Sequence, residues 1–507
     1  MQAASATPQA KGASAMAYRL GAFSGIGIDE ALLKVLIDEH TASRKPRLGR
    51  FWTYYRNPLR SSTAGEGSSH APWYRQAQEL GLPGRIIGRA GLAGAHAVQG
   101  GRREVVIEND IAWRIQAMVD FMFAKPVTLL STAADESKRR EIERALDHVW
   151  EASGGIGLFQ DMALLGHVYG HVDLAVRVEP GRRGIDAVRV EVIEPTRGIP
   201  VLDPADYRRL HAYIVHFQRA ENAAREKSGP GTALWFFNPR KQPGEHAHPE
   251  RERTNVTEIL SPRLRQVYFA DRLVEEQDLA WTAGDVPVVH IQNISEPFRY
   301  EGLGEVEPLI PLQDELNTRL SDRASRVTMQ SFKMYLARGI DGFEKSPIGP
   351  GMMWSTDNMN ASIQEFGGDS EMPGEAAHIQ EVREALDKVS SVPPLASGVV
   401  RARIGNLTSA TALRVTLMGL LSKTSRKRIT YGRGIERASV LILRALHHLG
   451  VLKTSEEDRG VRLEWPDPLP IDDHEAARTA ETKLRIGVPQ ERVLGELGYA
   501  PGDVGIT

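Results

Sequence analysis

The hydrophobic period changes along this chain, and that change restricts its fold more than any single motif. VDLAVRVE from Val172 and IDAVRVEVIEP from Ile185 alternate apolar and polar side chains, the period of a strand with one covered face. PGRRG between them can make a turn. Together they predict an antiparallel hairpin with one wet face. HAYIVHF near 211 and RQVYFADRL near 265 are further strand candidates. The preceding segments are helical in period. Leu32, Leu33, Leu36 and Ile37 share a face between Asp29 and His40. Ile111, Ile115, Met118, Val119 and Met122 recur at helical spacing until Pro126 stops the run. SKRREIERALDHVWEA and LFQDMALLGHVYG read as two more helices. The fold class is α+β, with a mixed domain expected over residues 26 to 300.

Beyond PVVHIQNIS the pattern returns to helix. Leu312, Leu316, Leu320, Ala324 and Val327 form an apolar stripe starting past Pro308 and Pro311 and running to about Lys333, since proline is tolerated in a first turn and not later. Residues 334 to 373 are rich in Gly and Pro yet carry Phe343, Trp354 and Phe366. That apolar surface is expected to pack within the insert or against a neighbouring subunit. A second helix from about Glu375 to Val389 leads to the loop PPLASGVVRARIGNLTS. Thr408 or Ser409 can cap the next helix, which reads to about Leu449, about 60 Å. Gly432 and Gly434 predict a bend in it. Two short helices are expected from Asp472 onward, the second opening at Pro489. The first 25 residues, small and polar, read as a mobile tail.

At 507 residues the chain should hold two to four structural units. It has no cysteine, which removes disulfides and thiolate metal sites and fits a reducing cytoplasm. No apolar run approaches the roughly 20 residues of a membrane helix, and no secretory leader is expected. The formal charge of -2 disfavours a wholly cationic nucleic-acid surface. Near-neutrality conceals a split. Residues 301 to 388 carry 16 acidic against 8 basic side chains, and residues 399 to 448 carry ten basic ones against Glu436 alone. Such runs are commonly solvated helix faces. Repeated around an axis, they would instead make an acidic tube wall that repels phosphate and a basic band that meets it.

Catalytic signatures are missing: no phosphate loop, no G-x-G-x-x-G after a strand, no H-E-x-x-H and no G-x-S-x-G. His246 and His248 lack a matching ligand pair, so no metal or cofactor is expected. Asp203 and Asp206 in VLDPADY read as a turn at a strand end. Held by a divalent metal, the same pair would make a nucleic-acid-processing enzyme, the alternative reading.

The order of these features resembles the portal proteins of tailed phages. WRIQAMVDFMFAKPVTLL looks like the family's segment ending in Gly-Lys-Pro, with Ala124 in place of Gly. DMALLGHVYGHVDLAV and VEVIEPTRGIPVLD look like its wing strands. PVVHIQNISEPFRYEGLGEVEPLIPLQDELNTRLSDRAS is similar to the segment leading into its first stem helix, and NLTSATALRVTLMGLLSKTSRKR to the opening of its long helix. The resemblance spans roughly residues 105 to 500 and departs from the family in the loop near 221 to 256 and the arginine-rich tunnel segment. It implies a wing over 26–300 and 409–465, a stem of 301–333 and 374–391, a clip over 334–373, a tunnel loop over 392–408 and a helical crown over 466–507. It implies a ring homo-oligomer, commonly a dodecamer, without enzymatic activity. Its expected place is a virion vertex, after assembly in the host cytoplasm. Expected partners are double-stranded DNA, the large terminase, capsid or scaffolding protein and a head-completion adaptor, with no membrane; another ring component of the head-to-tail connector is a second alternative. On this resemblance Val399, Val400, Arg401 and Arg403 line the channel constriction. Glu305, Glu307, Asp314 and Glu381 are the channel-wall candidates.

Overall fold

The computed structural model of the chain describes residues 18–56, 106–206, 208–220, 253–330, 334–339, 358–366, 373–398, 410–469, 473–490 and 493–494. These residues fall into two compact units. One draws on Met1–Phe51, Met118–Gly304 and Asn406–Thr507, the other on Trp52–Ala117 and Glu305–Gly405. The mixed domain expected over 26 to 300 is thus interrupted: the chain leaves the first unit at Trp52 and re-enters it at Met118.

In the first unit, helix α1 (Glu30–Glu39) starts where the Asp29 side chain accepts from the Leu32 amide at 2.7 Å, an ordinary N-cap. Helix α2 (Lys45–Arg56) follows and α3 (Asp110–Phe123) comes next. Strand β1 (Thr128–Ser131), α4 (Glu136–Ala152) and α5 (Gly155–Tyr169) then lead into β2 (His171–Val178). β2 is the middle of a three-stranded antiparallel sheet, between β3 (Val188–Ile193) and β9 (Val288–Gln292). A second sheet is an antiparallel succession of β4 (Gly198–Leu202), β5 (Leu210–Ala220), β6 (Arg253–Leu260), β7 (Leu264–Phe269) and β8 (Arg272–Asp278). Leu33 of α1 is buried with Ile199, Ile214 and Ile259 of that sheet.

The predicted hairpin is present as β2 and β3, but it has no fully wet face. His171 through Val176 are all buried, because the polar side chains of β2 meet the second sheet instead of water. RQVYFADRL is two strands, β7 and β8, turning at Ala270 and Asp271, both at positive φ (44° and 66°). That is a two-residue hairpin loop without the usual glycine or asparagine-glycine signal.

The long helix also departs from its expected form. It consists of α8 (Ala410–Thr416) and α9 (Met418–His448), broken at Leu417. α9 is continuous through Gly432 and Gly434, so no helix break falls at the glycines. Gly434 serves close packing: a Cβ there would collide with Ile291 of β9. On the same helix Tyr431 Oη donates to Asn293 Oδ1 at 3.1 Å and Ser439 Oγ accepts from Trp150 Nε1 at 3.2 Å, both buried. Strand β12 (Val461–Glu464) pairs with β1, and α10 (Asp473–Arg485) follows.

The second unit centres on two helices, α6 (Ile310–Gln330) and α7 (Pro373–Ser390), with strands β10 (Met334–Arg338) and β11 (Ser362–Phe366) paired antiparallel in the intervening chain. The Arg326–Glu375 ion pair and a His378–Glu315 contact at 3.1 Å link the antiparallel helices. The expected leucine stripe of α6 is not its main buried row. Leu316 is buried, while Val327 is exposed and Gln313, Asn317 and Ser321 are buried. These three polar residues, four apart, hold an extended backbone segment: Ser321 Oγ takes the Val106 amide at 3.0 Å, Asn317 Oδ1 the Glu108 amide at 3.0 Å, and Gln313 Nε2 gives to the Glu108 carbonyl at 2.6 Å.

Arg114, only 1% exposed, fixes α3 to the end of α7. Its guanidinium donates to Asp387 at 2.7 Å, to the Val392 carbonyl at 2.7 Å and to Ser390 at 3.1 Å. A buried charge that loses its partners is costly. Arg114→Leu is therefore expected to lower the unfolding free energy by about 3 kcal/mol or more, read from urea denaturation; an unchanged midpoint would show that this cluster adds nothing to stability.

Candidate functional site

A buried polar centre lies between the sheets of the first unit. Asp173 on β2, with its side chain 1% exposed, receives Tyr213 Oη of β5 on Oδ2 at 2.6 Å, and Tyr300 Oη at 2.8 Å and His290 Nδ1 of β9 at 2.7 Å on Oδ1. His290 Nε2 faces the Tyr300 carbonyl at 2.6 Å and its ring stacks on Tyr300 with centroids 3.6 Å apart. Beside them Arg44 donates to His171 Nε2 at 3.0 Å and pairs with Glu301 at 2.7 Å, a carboxylate shared with Arg47.

The charges follow from this geometry. Burial alone would push the Asp173 carboxyl upward, but the facing His290, then His171 and the Tyr213 hydroxyl, hold it well below the ordinary range. Burial and the negative charge of Asp173 keep Tyr213 and Tyr300 protonated far above their usual limit. Burial, with Arg44 and His290 adding to it, depresses His171 to about 3. Burial and neighbouring groups thus set the charge states of Asp173, His171, Tyr213 and Tyr300. The hydrogen bonds of the cluster tie strands of both sheets together.

Among the described residues, several carboxylates of the second unit's acidic block are paired. Glu315 takes Arg319 at 2.8 Å and His378 at 3.1 Å, Asp322 also meets Arg319, Glu375 pairs with Arg326 and Asp387 with Arg114. The four channel-wall candidates differ in exposure. Glu305 is buried, 3% exposed, and Asp314 is half-buried and accepts from Tyr54 Oη at 2.8 Å. Glu307 and Glu381 are exposed.

The basic block is likewise divided. Lys423 and Lys427 are buried on α9. Arg428 lies over the Trp465 ring at 5.0 Å, Arg414 pairs with Asp467 at 2.9 Å and Arg444 with Asp285 at 2.7 Å. Arg426, Arg433 and Arg437 are exposed on one stripe and form no salt bridge among the described residues. Val399, Val400, Arg401, Arg403, Phe343, Trp354, His246 and His248 lie outside the described residues, and of Phe366 only its place in β11 is described. Asp203 and Asp206 each bond a backbone amide two residues on, at 2.8 and 3.0 Å, the turn geometry expected of them. Among the described residues no group of three or more His, Cys, Asp or Glu is placed to hold a metal.

Sequence reasoning missed the Asp173 centre, Arg114 and the polar ladder of α6. Only the last left a signal, in the i, i+4, i+8 spacing of Gln313, Asn317 and Ser321.

The chain thus combines two sheets with a shared buried polar centre in one unit and a charged antiparallel helix pair in the other. The family model described as phage portal protein, SPP1 Gp6-like, matches residues 111–497. The chain belongs to that portal protein family. No curated protein sequence matches it. Among solved structures it is similar to a chain in the virion of a native gene transfer agent particle, at 15% identity over 82% of this chain and 99% of that one, with a TM-score of 0.41. It is also similar to a chain in the neck of an empty particle of that agent computed with C6 symmetry, at 14% identity, 83% and 95% coverage and a TM-score of 0.44.

The buried histidine has a measurable consequence. His171 takes up a proton near 6.5 when unfolded and only near about 3 when folded, so the unfolded state binds more protons between those values and stability falls as pH drops through them. Asp173 works in a lower window, losing its contribution only below about pH 4. His171→Asn, which keeps an acceptor for Arg44, is expected to flatten the loss between pH 6.5 and 4. One such group can contribute up to about 1.4 kcal/mol per pH unit there. Urea midpoints across that range read the difference, and parallel curves for both proteins would refute it.

Proposed function

We propose that the chain is the subunit of a ring set at one capsid vertex, a conduit for double-stranded DNA during packaging and ejection. Membership of the portal family carries this reading, together with the antiparallel pair α6–α7 interrupted by an insert and followed by the long helix α8–α9. On this reading α6 and α7 are the stem, the insert that starts with β10 and ends with β11 is the clip, and residues 392 to 408 are the tunnel loop. The first unit, with its two sheets, supplies the wing, and the helical segment from 466 onward the crown. The ring is a homo-oligomer, a dodecamer in the family's common form, and acts as a structural part of the virion without chemistry of its own. The clip docks the packaging terminase and later the head-completion adaptor.

Glu305, Glu307, Asp314 and Glu381 are the candidate wall carboxylates, of which Glu307 and Glu381 are exposed, and a negative wall keeps a passing duplex from adhering because it releases no counterions from phosphate. Arg401 and Arg403 touch phosphates briefly at the constriction, with Val399 and Val400 beside them. Phe343, Trp354 and Phe366 pack within or between clips.

Electron microscopy of the purified chain is expected to show rings with a central opening wide enough for a duplex; monomers or two-fold dimers at every concentration would overturn the reading. Arg401→Glu with Arg403→Glu should leave rings intact and reduce DNA packaged or retained per particle. Particles with a full DNA complement would remove these arginines from the channel.

A further inference from the structure

Two exposed stripes in the first unit are complementary and do not pair with each other within one chain. On α9, Arg426, Arg433 and Arg437 follow one another at spacings of seven and four, the repeat of a single helix face. Ile429, 55% exposed, sits between the first two. On α1, Asp38 and Glu39 are exposed without salt bridges among the described residues, next to Val35, which is 59% exposed. Residues 29 to 39 hold four carboxylates against Lys34.

Each helix already has its inner face in use. α1 packs on the five-stranded sheet through Leu33, and α9 on the three-stranded sheet at Gly434. The outer faces are what remain. Their lengths are compatible: α1 is 10 residues, about 15 Å, and the stripe from Arg426 to Arg437 covers about 17 Å.

We propose that the arginine stripe of α9 docks the acidic outer face of α1 from a second copy of this chain. The contact places Ile429 against Val35, with Arg433 and Arg437 meeting Asp38 and Glu39. Charge complementarity names the occupant, since the chain carries both surfaces and is close to neutral overall. A duplex is the poorer match, because a phosphate backbone makes no use of an aliphatic side chain held between arginines. The proposal rests on the ring reading above and supplies one of the faces by which neighbours in the ring meet.

The absence of cysteine allows a direct test. Val35→Cys and Ile429→Cys in one chain, mildly oxidised, should give a ladder of covalent multimers on a denaturing gel, while Val35→Cys alone stops at monomer. In parallel, Arg433→Glu with Arg437→Glu, or Asp38→Arg with Glu39→Arg, should raise the concentration for ring formation by roughly tenfold or more. Combining all four should restore it, as read by analytical ultracentrifugation. Wild-type rings with no ladder and with unaffected reversals would overturn this contact and leave the ring standing; a monomeric wild type would overturn both. Intact rings in the arginine variant together with weakened binding of a short duplex would make the stripe a nucleic-acid contact instead.

Discussion

The first unit depends on one carboxylate that water does not reach. A buried ion is tolerated only when its lone pairs are filled, and Asp173 fills them with hydroxyls and an imidazole from Tyr213, Tyr300 and His290. Those donors come from different elements, so the carboxylate ties β2 to β9 within one sheet and to β5 in the other. Shifting β2 by one residue would turn Asp173 to the opposite face and lose all three bonds, which makes it a register lock as well as a tie. The dependence extends further. The Tyr213 hydroxyl occupies the space a Cβ at residue 198 would need, so β4 must begin with glycine. Glu301, next to Tyr300, holds Arg44 and Arg47 at the start of α2.

The second unit solves the same problem with different groups. Its helix pair is joined to residues 106–114 by amides, a serine and a guanidinium more than by leucines. Apolar packing alone tolerates sliding, whereas Gln313, Asn317 and Ser321 can satisfy the Val106 and Glu108 backbone in one register only. Arg114 adds a second point of reference at the far end of α7, where it also meets the carbonyl of Val392. Such polar fastening gains specificity of position at some expense in stability. Two helices expected to stand beside copies of themselves need that specificity.

What the sequence disclosed was whatever depends on period. Ile111, Ile115 and Met118 were legible as one buried helical face, and β2 with β3 as a hairpin, because burial of one face writes itself into spacing. Polar burial leaves no such trace. Asp173 alternates correctly with its neighbours and therefore looked solvent-facing, and only the arrival of Tyr213 from forty residues away makes it interior. Gly434 reads in sequence only as a weak point of its helix, because its packing partner Ile291 is distant in the chain. The Ala270–Asp271 turn was missed because positive φ is held there by the strands on both sides and not by a favoured residue. The functional residues were the least legible, since counting charges in a block does not separate a paired side chain from an open one.

That distinction changes the electrostatic argument. Ten basic side chains between 399 and 448 suggested a uniformly cationic band, yet Lys427 is buried, Arg414 and Arg444 have carboxylate partners and Arg428 lies on Trp465. The charge left over on α9 is three arginines on one narrow stripe. Fields that narrow are weak at a distance, because salt screens them beyond about 8 Å at physiological ionic strength. They act by contact, on a surface brought against them with matching geometry. A head-to-tail contact between copies must also repeat at a fixed rotation if it is to close into a ring and not propagate as a filament. Rotation is fixed only if each subunit is stiff between its two contacting faces. In the first unit α1 rests on the five-stranded sheet and α9 on the three-stranded one, and Asp173 binds those sheets together alongside the Arg177–Glu258 pair of β2 and β6. The buried carboxylate and the exposed arginines are thereby parts of one requirement: the first sets the angle at which the second can be met.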